Sequence, residues 1–423
     1  MPVIPIAQLG ACRHPSPLGR FVSDDLHVPA DLHWSGGRPP SEPGLFEQAG
    51  PRERLFFDPA RTRAAIVTCG GLCPGLNNVI RSLVLQLHHG YGVRAVIGYR
   101  GGYGGLDPAN GVEPLPLTLE LVDKIHRQGG TILGTSRGPV DVAKAVDDLV
   151  RREIDVLFTI GGDGTQRGGN ALYQEARRRG RPLAVVGIPK TIDNDVAFVS
   201  QTFGYPTALE EARAVLDRAH VESKSVHNGI SLVRLMGRSA GFIAAGATLA
   251  SQDVNFCLVP EVPFALEGEN GFLAVLERRI LARAHAVIVV AEGAGQDLVT
   301  GPADGRDASG NVKLKDIGVH LRERIEAYFK AEGVPAVMRY FDPGYLIRSS
   351  PANAEDSIQC DLYARNAVHA AMAGKTGLVI GHMHDRFIHV PIELLASKQK
   401  RLDPAATQWQ AVLAATGQPA RWG

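Results

Sequence analysis

Residues 155–165 read DVLFTIGGDGT: a mostly apolar run, Asp155–Ile160, followed by Gly161, Gly162, Asp163, Gly164 and Thr165. A continuous apolar run of this length is expected of a strand covered on both faces, and the segment after the glycines opens a helix. In open parallel α/β sheets this junction, at the carboxyl end of a strand, is where ligands bind. An aspartate held among glycines there can hold Mg²⁺ while backbone amides take phosphate oxygens. Mg²⁺ seldom has an all-protein cage, so Asp163 together with substrate phosphates is a sufficient donor set.

The same design recurs on either side. Upstream, CGGLCPGLN at residues 69–77 lies between the strand candidate Ala64–Thr68 and a helix whose apolar face carries Leu76, Val79, Ile80, Leu83, Val84 and Leu87. Its glycines let amides approach an anion at a helix N-terminus, although the Gly-Lys-Ser/Thr ending of a P-loop is absent. Downstream, Leu183–Ile188 leads into PKTIDND at residues 189–195. Two carboxylates and a hydroxyl within Thr191–Asp195 are costly to place together without a cation or a proton to transfer. Further strand candidates are Val93–Tyr99, Ile230–Met236, Cys257–Pro260, Ala286–Ala291, Val337–Phe341 and Leu378–His382, and Val142, Ala145, Val146, Leu149 and Val150 share a second helical face. The alternation is too long for one doubly wound sheet, so two α/β lobes dividing after Asp195 are expected.

Composition narrows the function. The 423 residues carry 45 Lys and Arg against 44 Asp and Glu, a net charge of +1, which argues against a nucleic-acid binder and against an acidic solvating chain. Glycine is in excess, 48 residues or about 11 % where about 7 % is usual, and several glycines cluster at the ends of strand candidates. Five cysteines, Cys12, Cys69, Cys73, Cys257 and Cys360, suit reduced packing thiols in a cytoplasmic protein; no leader pattern and no apolar run of membrane-spanning length is seen, so no membrane association is expected. Residues 1–60, including WSGGRPPSEPG at 34–44, read as an extension rather than a domain. The polar stretch Ala294–Asn311 reads as an insertion, and the tail after Ala406 carries little signal. Arg177–Pro182 reads as the solvated end of a helix, and His382 and His384 as strand neighbours on one face without a third ligand.

With the three strand-end motifs in order, followed by Met236-Gly237-Arg238, the sequence closely resembles the 6-phosphofructokinases over roughly Arg63 to Arg386, most nearly the longer branch that includes plant and trypanosomatid enzymes. The resemblance implies an α/β fold of two Rossmann-like three-layer lobes with mostly parallel sheets. It implies an ATP and Mg²⁺ lobe at 61–204 plus 347–396, a sugar-phosphate lobe at 205–346 plus 397–423, and a homodimer or homotetramer. By motif match, Gly71, Arg137, Gly138 and Gly162–Thr165 correspond to nucleotide-binding positions, Asp163 to the metal carboxylate and Asp193 to the general base. Thr191, Asp195 and Lys190 would assist, with Thr191, Ile192 and Asp193 also against the sugar. Met236, Gly237, Arg238, Glu292, Arg339, Tyr345, Leu346, Ile347 and Arg348 correspond to sugar-phosphate positions. The implied reaction moves the γ-phosphoryl group of ATP to the 1-hydroxyl of fructose 6-phosphate.

Departures and alternatives bear on this. Compact bacterial members usually have arginine where Gly229 stands and histidine where Tyr345 stands, so their allosteric sites do not transfer. Pyrophosphate users typically have aspartate where this chain has Gly164 and lysine where it has Lys190, so the two positions disagree on the donor; Gly164 leaves the nucleotide path open and favours ATP. NAD and lipid kinases share a Gly-Gly-Asp-Gly-Thr turn, but Thr191–Asp195 and Met236–Arg238 argue against them. A non-catalytic sugar-phosphate-binding regulator would have no use for Asp193.

Overall fold

Each apolar run above forms a strand within a residue or two of its expected bounds, because alternation of buried strands with amphipathic helices leaves parallel sheets as the way to bury both. The computed structural model describes all residues except 33–43, 300–304, 306–311, 397 and 423. Most of the 34–44 stretch and much of the Ala294–Asn311 insertion therefore lie outside the described residues. The chain divides into two units: Met1–Thr191, Val196–Gly204 and Ser350–Gln399 form the first, and Ile192–Asp195, Tyr205–Ser349 and Lys400–Gly423 the second.

In chain order, the first unit contributes β1 (Arg63–Thr68), α1 (Leu76–Leu85), β2 (Ala95–Tyr99), α2 (Val142–Arg151), β3 (Val156–Gly161), α3 (Asp163–Arg178) and β4 (Ala184–Pro189). The second unit supplies α4 (Tyr205–Lys224), β5 (Gly229–Leu235), α5 (Phe242–Ser251), β6 (Phe256–Leu258), α6 (Phe272–Arg283), β7 (His285–Ala291), α7 (Ile317–Ala331), β8 (Val337–Phe341) and α8 (Gly344–Ser349). The chain then returns to the first unit with α9 (Ala354–Met372), β9 (Leu378–Met383) and β10 (Arg386–Pro391).

The first unit's sheet runs β10-β9-β4-β3-β1-β2 and ends on the short strand Leu115–Pro116; it is parallel except at its two outermost strands. Its central strands β1, β3 and β4 are buried almost without interruption. The second unit's sheet, β6-β7-β5-β8, is parallel throughout. Both are α/β layers with mostly parallel strands.

Some features depart from the reading of the sequence. Val150 is 43 % exposed, because it falls at the rim of the stripe made by Ala145, Val146 and Leu149. His384 lies in a left-handed turn (φ 50°) beyond β9, so it does not share a strand face with His382, whose ring packs on Phe387. The tail forms the helix Thr407–Thr416, which buries Trp409 and Val412 against α5 and β6; its many alanines hide the stripe. Beyond it, Gln418 accepts from the Cys257 backbone N–H at 2.6 Å and donates to the Cys257 carbonyl at 3.1 Å. Arg178 and Arg179 both hold Glu175 at the end of α3.

Residues 1–60 pack within the first unit through short antiparallel pairings: Ala7–Gln8 with Lys375–Thr376, His14–Pro15 with Arg54–Leu55, and His27–Pro29 with Leu45–Glu47. One buried carboxylate fastens this segment. Glu47 Oε1 lies 2.6 Å from Arg52 Nη2, 2.7 Å from Lys375 Nζ and 3.2 Å from His389 Nδ1. Burial alone would raise the pKa of Glu47, but His389 and Lys375 outweigh it and hold the carboxyl well below the usual carboxylate range. Its stabilisation is thus fully present above the unfolded-state pKa of about 4.3 and is lost as pH falls towards the depressed folded value. Glu47→Gln is expected to cost about 3 kcal/mol in urea unfolding at pH 7 by leaving Lys375 and Arg52 under-compensated, and the gap from wild type should narrow below about pH 4.

Candidate active site

Register explains why the first unit's motifs meet. Thr68 of β1 and Pro189 of β4 stand beside Ile160 and Gly161 of β3, so the turns leaving all three strands emerge along one carboxyl edge. The Cys69 N–H donates to the Ile160 carbonyl at 3.0 Å and the Lys190 N–H to the Gly161 carbonyl at 3.1 Å. Lys190, almost fully buried, crosses to the first turn and donates from Nζ to the Gly71 carbonyl at 2.6 Å. The segment 134–138 closes over that turn: Thr68 Oγ1 donates to Gly134 O at 2.7 Å, Gly70 N–H to Ser136 O at 3.0 Å, and Thr135 Oγ1 to Gly70 O at 2.7 Å. Arg137 is brought against Gly71, where a β-carbon would lie 3.3 Å from Nη2. Gly138 follows with φ 139° in open space.

Gly161 has no room for a side chain, since a β-carbon would fall 2.1 Å from Thr165 Oγ1. Gly162 caps α3, and Asp163 and Gly164 are exposed in its first turn, where the helix dipole favours anions. Gly164 is different from Gly161: its φ is not positive and a β-carbon would meet nothing nearer than Arg167 Nη2 at 3.8 Å, so neither backbone nor packing requires glycine there. Gln166, which the reading of the sequence missed, is buried and donates to the Gly161 carbonyl at 2.9 Å and the Ile188 carbonyl at 3.2 Å, tying β3 to β4. Among the described residues no group of three or more His, Cys, Asp and Glu side chains could hold a metal ion. The exposed Asp163 carboxylate at a helix N-terminus is a donor of the kind that suits Mg²⁺ carried mainly by phosphate oxygens and water.

Thr191 follows Lys190, and its carbonyl accepts from Thr202 Oγ1 at 2.7 Å. Ile192–Asp195 belong to the second unit, where the Lys400 N–H donates to the Asp195 carbonyl at 3.1 Å. Asn194 adopts φ 56°, a left-handed conformation that asparagine tolerates better than most side chains and that recurs at functional loops.

The second unit has its own strand-end cluster. Met236-Gly237-Arg238 leaves β5 beside Glu292-Gly293, which leaves β7, and the two turns interlock through Glu292 N–H to Leu235 O at 2.9 Å and Gly293 N–H to Gly237 O at 3.1 Å. A β-carbon on Gly293 would lie 1.9 Å from the Arg238 carbonyl oxygen. Met236 lies beside Gly344 at the start of α8, where a β-carbon would sit 3.7 Å from Met236 Cγ. In α8, the Arg348 guanidinium stacks 4.3 Å over the Tyr345 ring; Tyr345 and Leu346 are exposed and Ile347 is buried. Arg238 donates to the Val312 carbonyl. Arg339 is not part of this cluster: it stands mid-strand in β8, with Nε 3.8 Å from Glu222 Oε2 on α4. Burial raises the pKa of Glu292, against the pull of Arg234 and Arg238. Arg234, an arginine inside the apolar run of β5, also escaped the reading of the sequence. A β-carbon on Gly229 would sit 2.0 Å from the Ser223 carbonyl oxygen, so an arginine has no place there.

The phosphofructokinase family model matches residues 63–371. The chain belongs to the phosphofructokinase family. Within it, the chain is 45 % identical over 430 residues to the ATP-dependent 6-phosphofructokinase of Borreliella burgdorferi, covering 98 % of this chain and 96 % of that one. It is 47 % identical over 408 residues to ATP-dependent 6-phosphofructokinase 7 of Arabidopsis thaliana, covering 95 % and 82 % of the two chains. The fold matches the crystal structure of a pyrophosphate-dependent phosphofructokinase from Marinobacter aquaeolei with a TM-score of 0.70, at 21 % identity, over 86 % of this chain and 92 % of that one.

The interlock of the Gly237 and Gly293 turns gives an expectation independent of chemistry. Gly293→Ala must push the Arg238 carbonyl aside, at a cost of about 3 kcal/mol or more in thermal unfolding, where Gly164→Ala in open space should change stability by less than about 0.5 kcal/mol.

Proposed function

We propose that this chain is an ATP-dependent 6-phosphofructokinase that converts fructose 6-phosphate to fructose 1,6-bisphosphate in glycolysis. The observation that carries the reading is its near full-length likeness to relatives named ATP-dependent 6-phosphofructokinase. The strand-end edge that gathers Gly71, Arg137, Gly138, Gly162–Thr165 and Lys190 supports a nucleotide site. Gly164 supports ATP over pyrophosphate because its lack of a side chain is not explained by packing. Lys190 is engaged with the Gly71 carbonyl, a loop-fastening role that does not require pyrophosphate.

In the reaction, Asp193 accepts the proton of the sugar 1-hydroxyl. The oxygen–phosphorus bond to the γ-phosphoryl group forms as the β–γ bridging bond breaks, and ADP leaves. Thr191 orients the acceptor, Ile192 packs beside it, and Asp195 fixes the loop. Asp163 would hold Mg²⁺, which supplies charge neutralisation on the phosphate oxygens. Arg238, Arg339 and Arg348 suit the 6-phosphate, since a guanidinium binds phosphate through a planar fork. Glu292 accepts hydrogen bonds from sugar hydroxyls, and Met236, Gly237, Tyr345, Leu346 and Ile347 shape that site. Functionally, residues 61–204 plus 347–396 form the ATP and Mg²⁺ lobe, and 205–346 plus 397–423 the sugar-phosphate lobe. We further infer a homodimer or homotetramer, supported by the position of Arg339 outside the cluster it would serve, where a neighbouring copy could receive it. Five free cysteines suit a cytoplasmic location.

Purified protein should phosphorylate fructose 6-phosphate with ATP and not with pyrophosphate; turnover with pyrophosphate alone would overturn the reading. Asp193→Asn should lower kcat by about 10³-fold with little change in either KM, as expected for loss of a general base. Gly164→Asp should fold normally and lose ATP turnover, so retained ATP kinetics in that variant would refute the role given to Gly164.

A further inference from the structure

Arg234 stands one residue before the end of β5, opposite Val290 of β7, in the strand flanked by both β7 and β8. Glu292 and Asp342 are the first residues beyond those two neighbours. The guanidinium reaches both, with Nη2 2.6 Å from Asp342 Oδ2 and Nη1 3.6 Å from Glu292 Oε2, while Nε lies 3.9 Å from Asp316 Oδ1. Asp316 in turn caps α7, accepting from the Val319 N–H at 3.1 Å. One partly buried cation therefore joins four elements where they converge at the carboxyl edge of the sheet. Burial alone would lower its pKa, but the hydrogen bond and charge of Asp342 push it further up, so it stays charged.

We propose that Arg234 is a positioning residue for the sugar phosphate: it keeps Glu292 ionised and oriented, and it anchors through Asp342 the start of the segment that carries Tyr345 and Arg348. This rests on the reading of Glu292 as the acceptor of sugar hydroxyls. The groups that bear on Glu292 are Arg234, Arg238 and Arg348, which favour its charge, and Asp342, which opposes it. Removing Arg234 takes away a cation and also leaves the Asp342 charge uncompensated, so both changes drive Glu292 towards protonation. A lysine would preserve the charge but not the fork that addresses two carboxylates together.

The test measures initial rates against fructose 6-phosphate and pH for Arg234→Met, Arg234→Lys and Glu292→Gln. Arg234→Met should raise KM for fructose 6-phosphate about tenfold or more, leave KM for ATP within about twofold, and move the acid limb of kcat/KM for the sugar up by about one pH unit. Arg234→Lys should restore the acid limb while leaving the sugar KM between the two; if Arg234→Met fails to fold, this variant carries the test through its raised KM at an unmoved limb. Wild-type sugar KM and acid limb in both arginine variants would overturn the proposal. Glu292→Gln separates the two levels: an unchanged sugar KM there defeats the reading of Glu292, whereas a raised KM in Glu292→Gln with none in the arginine variants defeats the clasp alone.

Discussion

At the carboxyl ends of both sheets the main chain runs closer to its surroundings than a β-carbon permits. In the first unit Gly161 lies against the Thr165 side chain, and in the second Gly293 lies against the Arg238 carbonyl and Gly237 against the Ala240 carbonyl. Such closeness fixes the turns that leave the strands and makes glycine a packing requirement there. On the proposed function, a chain with net charge +1 would meet its polyanionic substrates at these local turns, without a basic surface.

Three charged groups drawn out of water, Glu47, Lys190 and Arg234, are each compensated by a segment distant in the chain. Glu47 draws on Arg52 and Lys375; Lys190 is engaged by a backbone carbonyl of a neighbouring turn; Arg234 answers carboxylates on three sides. Desolvation makes such groups weak contributors to net stability, but removing one partner is costly, so they specify which segments lie together. In this molecule the segments so specified are the N-terminal extension and the two strand-end clusters.

Much of this was legible from sequence because parallel strands buried on both faces are continuous apolar runs, and their ends are marked by glycine. The three strand-end motifs of the first lobe and the Met236–Arg238 turn could be placed on that basis. Other parts had no such mark. Glu47, Lys375 and His389 are far apart in the chain, and nothing local signals that they share one hydrogen-bond site. The helix Thr407–Thr416 buries mainly Trp409 and Val412 among alanines, too narrow a stripe for periodicity to report. Arg234 interrupts an apolar strand, but the carboxylates it meets become apparent only when the ends of β7 and β8 are set beside it.

The side chain of Gln418 satisfies both backbone groups of Cys257 on the outer rim of β6, where the four-stranded sheet would otherwise present an open ladder. A single amide thereby imitates the next strand. Short edge strands with their polar groups already engaged offer no template to another chain, so this contact protects a parallel sheet from intermolecular strand addition and the aggregation that follows from it.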